Sequence, residues 1–442
     1  MRPSEESAMG SPTSLGFGAD LPIRSARPVR VLFVNDTSRN GGPGRSLHSI
    51  LKFLDPAVVY RAVVLPRDGA IAKLLSRDGV VDQLEFVPDL VENPVEPWGR
   101  PMERADFDAP LPLKAARLAG NAFKAARAMR RLSRLVRHGR FDLVYCNGSS
   151  ADFAGGALAA LTNVPALWHV RYTSVPPVAA RLHRRLSAGR GVRRIVCVSR
   201  SAASLFSHCP QKVTVVHNAL DVGNFDLARI RCALRAELGL SDGVVVFGSH
   251  GRVLRRKGYI EMVRAARLAL DRLSPAERAR AAFVVIGDTP ADFRPDHVEE
   301  CRALAAELGI GSQFHLLGFR DDVRPLVADF DVAVVPSVYA DPLPRAVIES
   351  MALGKPVLAF DVGGVAEMLD DGVTGTLVPF DPGAPALGIN GLAESMVRYA
   401  RDPELRSRQG RAGRARVERD FDARVHARRI QNEIVAAAGL AQ

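Results

Sequence analysis

The sequence predicts an α/β protein of two domains, each a doubly wound parallel sheet, that face a central cleft. Three observations predict this fold class. Short apolar runs alternate with helical patterns over most of the 442 residues. Several of these runs are continuous Val, Leu and Ile, as in strands that are buried on both faces. The unusual local chemistry falls at the ends of the runs, where ligands bind in doubly wound folds.

Size and composition agree with a multidomain globular protein. The chain is 47% hydrophobic and 24% charged, which is ordinary globular usage, and its length suggests two or three domains. The five cysteines are scattered, which argues against a disulfide scaffold or a zinc site and favours a reducing compartment. No apolar window reaches the roughly 20 residues of a membrane span, and residues 1–28 lack the apolar core of a secretory signal. We therefore expect a cytoplasmic protein.

The alternation of runs sets the expected domain boundaries. A tail rich in Ser, Pro and Gly over residues 1–28 is expected to be disordered. We expect a first domain over 29–220, a linker over 221–242, a second domain over 243–415, and helices over 416–442 that cross back to the first domain. The expected strands, six in each domain, are Val29–Val34, Val58–Leu65, Phe141–Cys146, Val164–His169, Arg194–Val198, Val213–His217, Val244–Gly248, Phe283–Gly287, Phe314–Leu317, Asp331–Val335, Pro356–Phe360 and Gly375–Val378.

A glycine-rich loop follows the first strand. Gly41 and Gly42 lie between that strand and a helix predicted over Arg45–Leu54. Glycine lets a ligand approach the backbone closely, and the start of a helix offers free N–H groups that suit phosphate. The pattern is neither a dinucleotide fingerprint nor a P-loop, so a loop that merely turns the chain is the alternative.

A single histidine ends another predicted strand of the first domain. His169 closes the run Val164–His169, and a polar side chain at a strand end can face the cleft. A histidine with an ordinary structural role is the alternative interpretation.

Two cations follow the first strand of the second domain. Arg252 and Lys257 flank a short loop between the run Val244–Gly248 and a helix. Converging Arg and Lys side chains would neutralise a diphosphate leaving group, because Arg offers a planar fork and Lys a point charge. A solvated basic turn is the alternative.

Two carboxylates eight residues apart flank a helix start in the second domain. Pro344 suits the first helical position, Asp341 lies just outside the helix, and Glu349 lies within its first turns. Apolar helix residues surround Glu349, so its burial would be costly without a hydroxyl or cationic partner. This context favours a functional carboxylate over an exposed one.

A double glycine follows the next strand of the second domain. Gly363 and Gly364 admit a close backbone approach at a strand end, and a helix is expected after them. Glu367 suits either a functional role or the favourable first turn of that helix.

Together and in order, these segments resemble the retaining nucleotide-sugar glycosyltransferases of family 4, whose two-Rossmann-domain fold is called GT-B. The resemblance runs from about Val29 to Phe421. The spacing of Arg252 and Lys257 matches the family's phosphate-binding signature, and Asp341 with Glu349 matches its Glu-x7-Glu motif. Asp341 is one methylene shorter than the usual first Glu. Pro344 and Ala219 stand where the family commonly has Gly.

The resemblance implies a role for each candidate residue. Arg252 and Lys257 would hold the donor diphosphate, with Gly41 and Gly42 near it. Glu349 would bind the donor ribose. Asp341 would lie against the donor sugar, and His169 near the reacting sugar, so that His169, Asp341 and Glu349 are the expected catalytic residues. Further cleft candidates are Gly363, Gly364, Glu367 and Asn218.

The implied reaction transfers a sugar from a nucleoside-diphosphate sugar to a hydroxyl with retention at the anomeric carbon. Positioning and stabilisation of the leaving phosphate would supply most of the catalysis. No metal and no cofactor are expected, since cationic side chains take that role. A nucleotide-sugar 2-epimerase of the same fold and a catalytically silent membrane- or polyanion-binding relative remain alternatives. A nucleic-acid partner is disfavoured because aromatic residues make up only 6% of the chain.

The positive charge lies in the first half of the chain. Residues 1–220 hold 31 Lys and Arg against 17 Asp and Glu, while residues 221–442 hold 29 against 31. The segments 111–140 and 181–194 carry nine and six basic residues and no acidic one. A basic amphipathic helix suits an anionic membrane. We therefore expect a glycan or lipid-linked acceptor and peripheral contact with the inner face of the cytoplasmic membrane, and a merely solvated basic face is the alternative.

Overall fold

The structure is a computed structural model, which describes residues 27–39, 41–91, 111–291, 293 and 296–439. The expected tail over residues 1–28 lies almost wholly outside the described residues. The described residues form two parallel sheets, so the predicted fold class is confirmed.

The first sheet has seven strands in the order β3-β2-β1-β4-β5-β6-β7. All neighbouring strands run parallel, and the strand order reverses between β1 and β4, which makes a switch point at their carboxyl ends. The strands are β1 Val29–Asn35, β2 Val59–Leu65, β3 Gln83–Phe86, β4 Leu143–Asn147, β5 Ala166–Val170, β6 Val192–Cys197 and β7 Val213–Val215.

The second sheet has six parallel strands in the order β10-β9-β8-β11-β12-β13. Its switch point lies between β8 and β11. The strands are β8 Val245–His250, β9 Ala281–Ile286, β10 Phe314–Leu316, β11 Val332–Val335, β12 Val357–Phe360 and β13 Gly375–Val378.

Helices cover both faces of each sheet. The α-helices of the described chain are α1 Gly42–Phe53, α2 Ala70–Arg77, α3 Leu111–Gly139, α4 Ser149–Thr162, α5 Pro177–Ala188, α6 Arg200–Ala203, α7 Leu234–Leu238, α8 Tyr259–Arg272, α9 Pro275–Arg278, α10 His297–Glu307, α11 Arg324–Val327, α12 Arg345–Ala352, α13 Pro385–Arg401, α14 Pro403–Asp420 and α15 Ala423–Ala438.

The continuous apolar strands are explained by a core on each side of the sheet. In β1, Leu32 and Val34 enter one core with residues of α3 and α4, while Val31 and Phe33 enter the opposite core with residues of α1 and α15. Each of these four side chains is at most 1% exposed. Burial on both faces therefore requires the unbroken apolar pattern.

The seventh strand of the first sheet was not expected. The edge strand β3 pairs only with β2 in the described sheet, and each of its four residues is half-buried. Its sequence Gln-Leu-Glu-Phe alternates polar and apolar residues. An edge position tolerates this pattern, but a search for continuous apolar runs does not detect it.

The chain crosses between the two domains twice, at neighbouring points. The Leu220 amide donates to the Phe421 carbonyl over 3.1 Å, and the Ala423 amide donates to the Leu220 carbonyl over 3.0 Å. Helix α15 then packs against α1, β4, β5 and β6 of the first domain. The final helix is thus part of the first domain's core, although it follows the second domain in the chain.

Candidate active site

A cleft of about 370 Å³ lies between the two domains. Its walls come from loops at the carboxyl ends of strands and from the start of α1. Gly251 and Arg252 follow β8, Gly287 follows β9, and Pro336 follows β11, and all four line the cleft. The sequence candidates Gly41, Gly42, Arg252, Lys257, Asp341, Glu349 and Asn218 line it as well. The fold thus brings residues from both halves of the chain to one space.

The two glycines near residue 41 form the first-domain wall of this cleft. Helix α1 begins at Gly42, three residues before the expected start, and Gly41 is its N-cap with an ordinary φ of −133°. Among the described residues, no atom lies within 4 Å of where a Cβ of Gly41 would be. The fold therefore does not need glycine at this position. The open space in front of the helix start leaves its amides accessible to an anion.

Lys257 and Asp341 form an ion pair on the second-domain side of the cleft. The Lys257 side chain is 20% exposed and that of Asp341 10% exposed. Burial lowers the pKa of Lys257, but the charge and hydrogen bond of Asp341, together with nearby Tyr339, outweigh it, so the net shift is upward. The Lys257 ammonium also lies 5.6 Å from the centre of the Tyr339 ring. The predicted phosphate ligand and the predicted donor-sugar residue are thus in direct contact.

The loop that carries Arg252 and Lys257 is held by close backbone packing. Gly258 adopts a φ of +75°, and a Cβ there would overlap the Pro336 carbonyl. Gly287, with a φ of +151°, would overlap the Gly251 carbonyl in the same way. Only glycine fits both positions. This packing fixes the loop after β8 against the end of β11 and leaves Arg252 exposed at the cleft.

Glu349 has one cationic partner and one hydrogen-bonding partner, as its apolar helix context requires. Its Oε2 lies 3.1 Å from His250 Nε2, and its Oε1 lies 3.0 Å from Arg345 Nη2. Burial would raise the pKa of Glu349, but the Arg345 charge and the His250 hydrogen bond hold it well below its usual range. Glu349 is therefore an ionised carboxylate at the cleft, suited to accept hydrogen bonds from hydroxyl groups. Helix α12 begins at Arg345, with Pro344 as its N-cap and not its first residue.

His169 does not belong to the described lining of this cleft. It is 2% exposed, and it borders a cavity of about 20 Å³ next to α15. Its Nδ1 is hydrogen-bonded to the Tyr145 hydroxyl, and its Nε2 has no hydrogen-bond partner among the described residues. Burial and then the charge of Arg171 lower its pKa well below the usual range, so the ring is neutral. Arg171, two residues later, reaches the cleft instead.

The double glycine contacts the chain itself. Gly363 has a φ of +66°, and a Cβ would press on the Asp341 carbonyl, while a Cβ at Gly364 would overlap the Pro342 carbonyl. Both glycines lie outside the described lining of the cleft. Their close backbone approach shapes the loop that carries Asp341, where we had expected a ligand.

Glu367 and Asn218 join the two domains. Glu367 accepts hydrogen bonds from the Arg200 amide over 2.9 Å and the Ser201 amide over 3.2 Å, and it also bonds His217. It too lies outside the described lining. Asn218 does line the cleft, where its Oδ1 accepts from Ser46 and its Nδ2 donates to the Leu343 carbonyl over 3.4 Å.

Three residues of the site were missed, and each lies close to a predicted one. His250 directly precedes Gly251 at the end of β8, Arg345 stands four residues before Glu349 on α12, and Arg171 follows His169 by two. Spacing on the helix was the usable signal for Arg345, since residues i and i+4 share a face. In the described part of the chain, no group of three or more His, Cys, Asp or Glu could hold a metal ion.

The sequence matches two families that together span the cleft. Residues 243–395 match the family described as glycosyl transferases group 1, and residues 96–224 match glycosyltransferase family 4. The chain belongs to glycosyltransferase family 4. The first of these matches holds Arg252, Lys257, Asp341 and Glu349, and the second holds His169 and Asn218.

Characterised relatives of this family-4 chain cover part of its length. A D-inositol 3-phosphate glycosyltransferase of Streptomyces scabiei is 31% identical over 304 residues, which are 64% of this chain and 65% of the relative. An α-maltose-1-phosphate synthase of Mycobacterium tuberculosis is 32% identical over 221 residues, which are 48% of this chain and 54% of the relative. The chain thus matches these relatives over less than two thirds of their length.

Solved structures resemble the family-4 chain over most of its length. HepE of Anabaena in complex with UDP has a TM-score of 0.72 at 20% identity, over 92% of this chain and 100% of that one. Sucrose-phosphate synthase of Thermosynechococcus elongatus has a TM-score of 0.69 at 17% identity, over 91% and 98%. The family-4 chain therefore has the GT-B fold.

Proposed function

We propose that this chain is a retaining glycosyltransferase. It would move a sugar from a nucleoside diphosphate to a hydroxyl of a glycan or lipid-linked acceptor, in polysaccharide or glycolipid biosynthesis. One observation carries the proposal: Arg252, Lys257, the ionised Glu349 and the start of α1 meet in a single interdomain cleft. HepE has been solved with UDP and with UDP-glucose, which supports a nucleotide-sugar donor for this chain.

The cleft offers a matching group for each part of such a donor. Glu349 would accept hydrogen bonds from the ribose hydroxyls. Arg252 and Lys257 would hold the diphosphate, and the amides at the start of α1 would approach it from the first domain. These groups stabilise negative charge on the phosphate as the bond to the sugar breaks. Catalysis would follow from preorganised positive charge and from the position of the two substrates.

The pairing of Asp341 with Lys257 supports retention by a same-face route. In such a route the leaving phosphate accepts the acceptor proton, and no protein carboxylate attacks the sugar. Asp341 is held by an adjacent ammonium and so is a weak nucleophile. Its expected role is to orient a sugar hydroxyl. His169, which is neutral and buried, would lie beneath the cleft near the reacting sugar.

A thermal-shift panel tests donor binding. Wild type, Glu349→Gln and the control Glu394→Gln would be heated with UDP, GDP, TDP, ADP and NAD; the Glu394 side chain is 72% exposed and lies outside the described cleft lining. A nucleotide at about 100 times its Kd stabilises the protein by roughly 2.7 kcal/mol. We expect one diphosphate to shift wild type and the control but not Glu349→Gln. No shift with any diphosphate would contradict the proposal.

Product analysis separates the transferase from the epimerase alternative. With the donor chosen by the panel, a transferase releases the nucleoside diphosphate only when an acceptor hydroxyl receives the sugar. Nuclear magnetic resonance of the product would show an anomeric configuration equal to that of the donor. Inversion of that configuration, or a change confined to carbon 2 of the free nucleotide sugar, would refute the proposed reaction.

A basic surface on the first domain supports contact with an anionic membrane. Helices α3, α4 and α5 pack in sequence, and they expose Arg130, Arg134, Arg181, Arg184 and Arg185. Large apolar side chains lie exposed on the same helices, among them Phe123 at 65% and Val178 at 65%. Basic and apolar groups together suit the surface of an anionic bilayer. Within the described residues, no helix is both long and apolar enough to cross a membrane.

Vesicle co-sedimentation tests this contact. Binding to mixed phosphatidylglycerol–phosphatidylcholine vesicles would be compared with binding to phosphatidylcholine alone. Neutralising Arg130, Arg134 and Arg181 to Gln should weaken binding to the anionic vesicles, at about 1 kcal/mol for each charge. A matched triple variant, Arg264, Arg408 and Arg411 to Gln on the second domain, should bind as wild type. An equal loss of binding to anionic vesicles in both triple variants would show that the basic surface of the first domain is not a specific membrane contact.

A further inference from the structure

Arg171 reaches the cleft from the first domain, opposite the loop of Arg252 and Lys257. It follows β5, and four neighbouring side chains hold its guanidinium. Its Nε donates to Asn147 Oδ1 over 2.7 Å, its Nη1 donates to Ser46 Oγ over 3.0 Å and to Asn218 Oδ1, and its Nη2 lies 3.3 Å from His169 Nδ1. The side chain is therefore fixed in one position at the edge of the cleft.

All four of these partners are neutral. Among the residues that the structure describes, no carboxylate lies within ion-pair distance of Arg171. Two other cations of the cleft differ: Lys257 is paired with Asp341, and Arg345 with Glu349. Burial is the main cause that lowers the pKa of Arg171 to about 10; the charge of Arg345 acts in the same direction, and Tyr145 and Asp152 offset part of the shift. The charge of Arg171 is thus poorly compensated by the protein.

The carboxyl group of Asp152, whose charge acts on Arg171, relieves little of this imbalance. Asp152 is fully buried, and its Oδ2 accepts a hydrogen bond from the Tyr172 hydroxyl over 2.9 Å. Burial raises the pKa of Asp152 well above its usual range, which favours the neutral form of this carboxyl group. A half-buried guanidinium without an anionic partner carries a desolvation cost unless a ligand supplies the anion.

We propose that Arg171 binds a phosphoryl group of a substrate in the cleft and so supplies positive charge from the first domain. This inference rests on the proposed function, because it assumes a phosphorylated substrate. The planar guanidinium suits two phosphate oxygens, and its fixed position avoids the entropy cost of ordering a long side chain. The start of α1, beside it in the same wall, adds amide donors to the same anion.

The phosphoryl group has two chemical sources. It is either the distal phosphate of the donor nucleotide or a phosphate on the acceptor. The first source makes Arg171 a partner of Arg252 and Lys257 from the opposite domain, so that diphosphate binding would draw the domains together. The second source makes Arg171 a specificity residue for phosphorylated acceptors.

The test compares matched nucleotides by calorimetry. The nucleoside diphosphate that wild type binds most tightly would be chosen first. This diphosphate and the corresponding monophosphate would then each be titrated into wild type, Arg171→Gln, Arg171→Lys and Asn218→Asp. Asn218→Asp keeps Arg171 in place and neutralises it with an adjacent carboxylate. Arg408→Gln removes one exposed positive charge outside the described cleft lining and serves as the control. Inorganic phosphate would then be titrated into each protein saturated with the diphosphate.

If the donor nucleotide supplies the phosphoryl group, the Arg171 variants should lose affinity for the diphosphate in particular. The preference for diphosphate over monophosphate should fall roughly tenfold or more in Arg171→Gln and Asn218→Asp, less in Arg171→Lys, and not in Arg408→Gln. A purely structural role would weaken both nucleotides alike, since they share base and ribose. An acceptor source instead predicts an unchanged preference and a similar loss of phosphate affinity in the saturated protein.

The outcomes separate this inference from the function on which it rests. If Arg171→Gln keeps both the wild-type preference and the wild-type phosphate affinity, the inference is overturned while the glycosyltransferase proposal stands. Equal weakening of diphosphate and monophosphate in Arg171→Gln, with unchanged phosphate affinity, would also overturn it. If wild type binds no nucleoside diphosphate, the proposed function fails, and inorganic phosphate would be titrated into the free proteins instead. Weaker phosphate binding by Arg171→Gln than by wild type would support the role of Arg171, and equal binding would overturn it.

Discussion

His217 Nε2 lies 3.0 Å from Glu367 Oε2, and this contact connects the first domain to the second. The same carboxylate accepts hydrogen bonds from the amides of Arg200 and Ser201 at the start of α6. Glu367 therefore closes one side of the interdomain interface with three hydrogen bonds. Thr173, which donates to the Ala340 carbonyl over 2.6 Å, closes it nearer to the cleft.

Removal of the Glu367 carboxylate should weaken the closed arrangement in a pH-dependent way. Burial alone would raise the pKa of Glu367, but the hydrogen bonds from His217 and the two amides lower it below its ordinary value of 4.5. A lowered pKa in the folded state adds stability that is fully present above 4.5 and is lost as the pH falls through the folded value. Glu367→Ala should therefore melt below wild type near neutral pH, at a cost of about 1–2 kcal/mol.

The difference in melting temperature between wild type and Glu367→Ala should shrink as the pH drops below 4.5. Glu404→Ala, an exposed substitution on α14, is the control and should show no such pH dependence. A constant gap between wild type and Glu367→Ala across the whole range would contradict the assigned hydrogen bonds. Small-angle scattering of the same variants would report whether the domains open.

The ion pair of Lys257 and Asp341 predicts different effects on stability and on binding. Lys257→Met leaves a poorly exposed carboxylate without its partner and should lower the free energy of unfolding by about 3 kcal/mol. The double variant Lys257→Met/Asp341→Leu should recover most of that loss, because both charges are gone. Diphosphate affinity should stay low in both variants. Recovery of nucleotide binding in the double variant would show that Lys257 is not a phosphate ligand.

Two glycines with similar backbone angles should respond very differently to substitution. Gly258→Ala meets both the strain of a φ of +75° and overlap with the Pro336 carbonyl, and it should cost about 3 kcal/mol or more. Gly239 has a φ of +65° with no described atom within 4 Å of its missing Cβ, so Gly239→Ala should cost about 1 kcal/mol. Urea unfolding measures both variants. Equal costs would show that the backbone contact with Pro336 is not tight.

At the start of α1, we expect a substitution that weakens donor binding and leaves stability unchanged. Gly41→Ala introduces no positive-φ strain and no clash with the described residues, so its free energy of unfolding should equal that of wild type within about 0.5 kcal/mol. Its methyl group would project toward the cleft, where phosphate is expected to approach the amides. Donor affinity should therefore fall severalfold. Unchanged affinity would place the diphosphate away from this helix start.

The fold class was accessible from the sequence because buried parallel strands leave a strong local pattern. Val, Leu and Ile runs marked six strands of each sheet, since burial on both faces excludes polar residues. The strand Gln83–Phe86 was not predicted, because a half-buried edge strand keeps polar residues at alternate positions. Helix starts were located within a few residues, as at Gly42 and Arg345.

Individual residues of the candidate site could be predicted from the sequence because the strand ends of this fold converge on one cleft. Arg252, Lys257, Asp341 and Glu349 were found from local chemistry and spacing, and all of them line the cleft. His169 and Glu367 were also found, yet they face neighbouring interfaces. A position at a strand end does not fix which way a side chain turns, and packing against α15 and α6 decides it here.

The sequence by itself determined the two doubly wound domains, the chemistry of the loops at their strand ends, and membership of a glycosyltransferase family. These properties depend on local pattern and on residue type. Only the tertiary structure decided which polar and charged groups pair: Lys257 meets Asp341 over 84 positions of chain, and Glu349 meets His250 over 99. Such pairings depend on which loops the two sheets bring together, so no local pattern encodes them. The same long-range packing leaves Arg171 among neutral partners at the cleft.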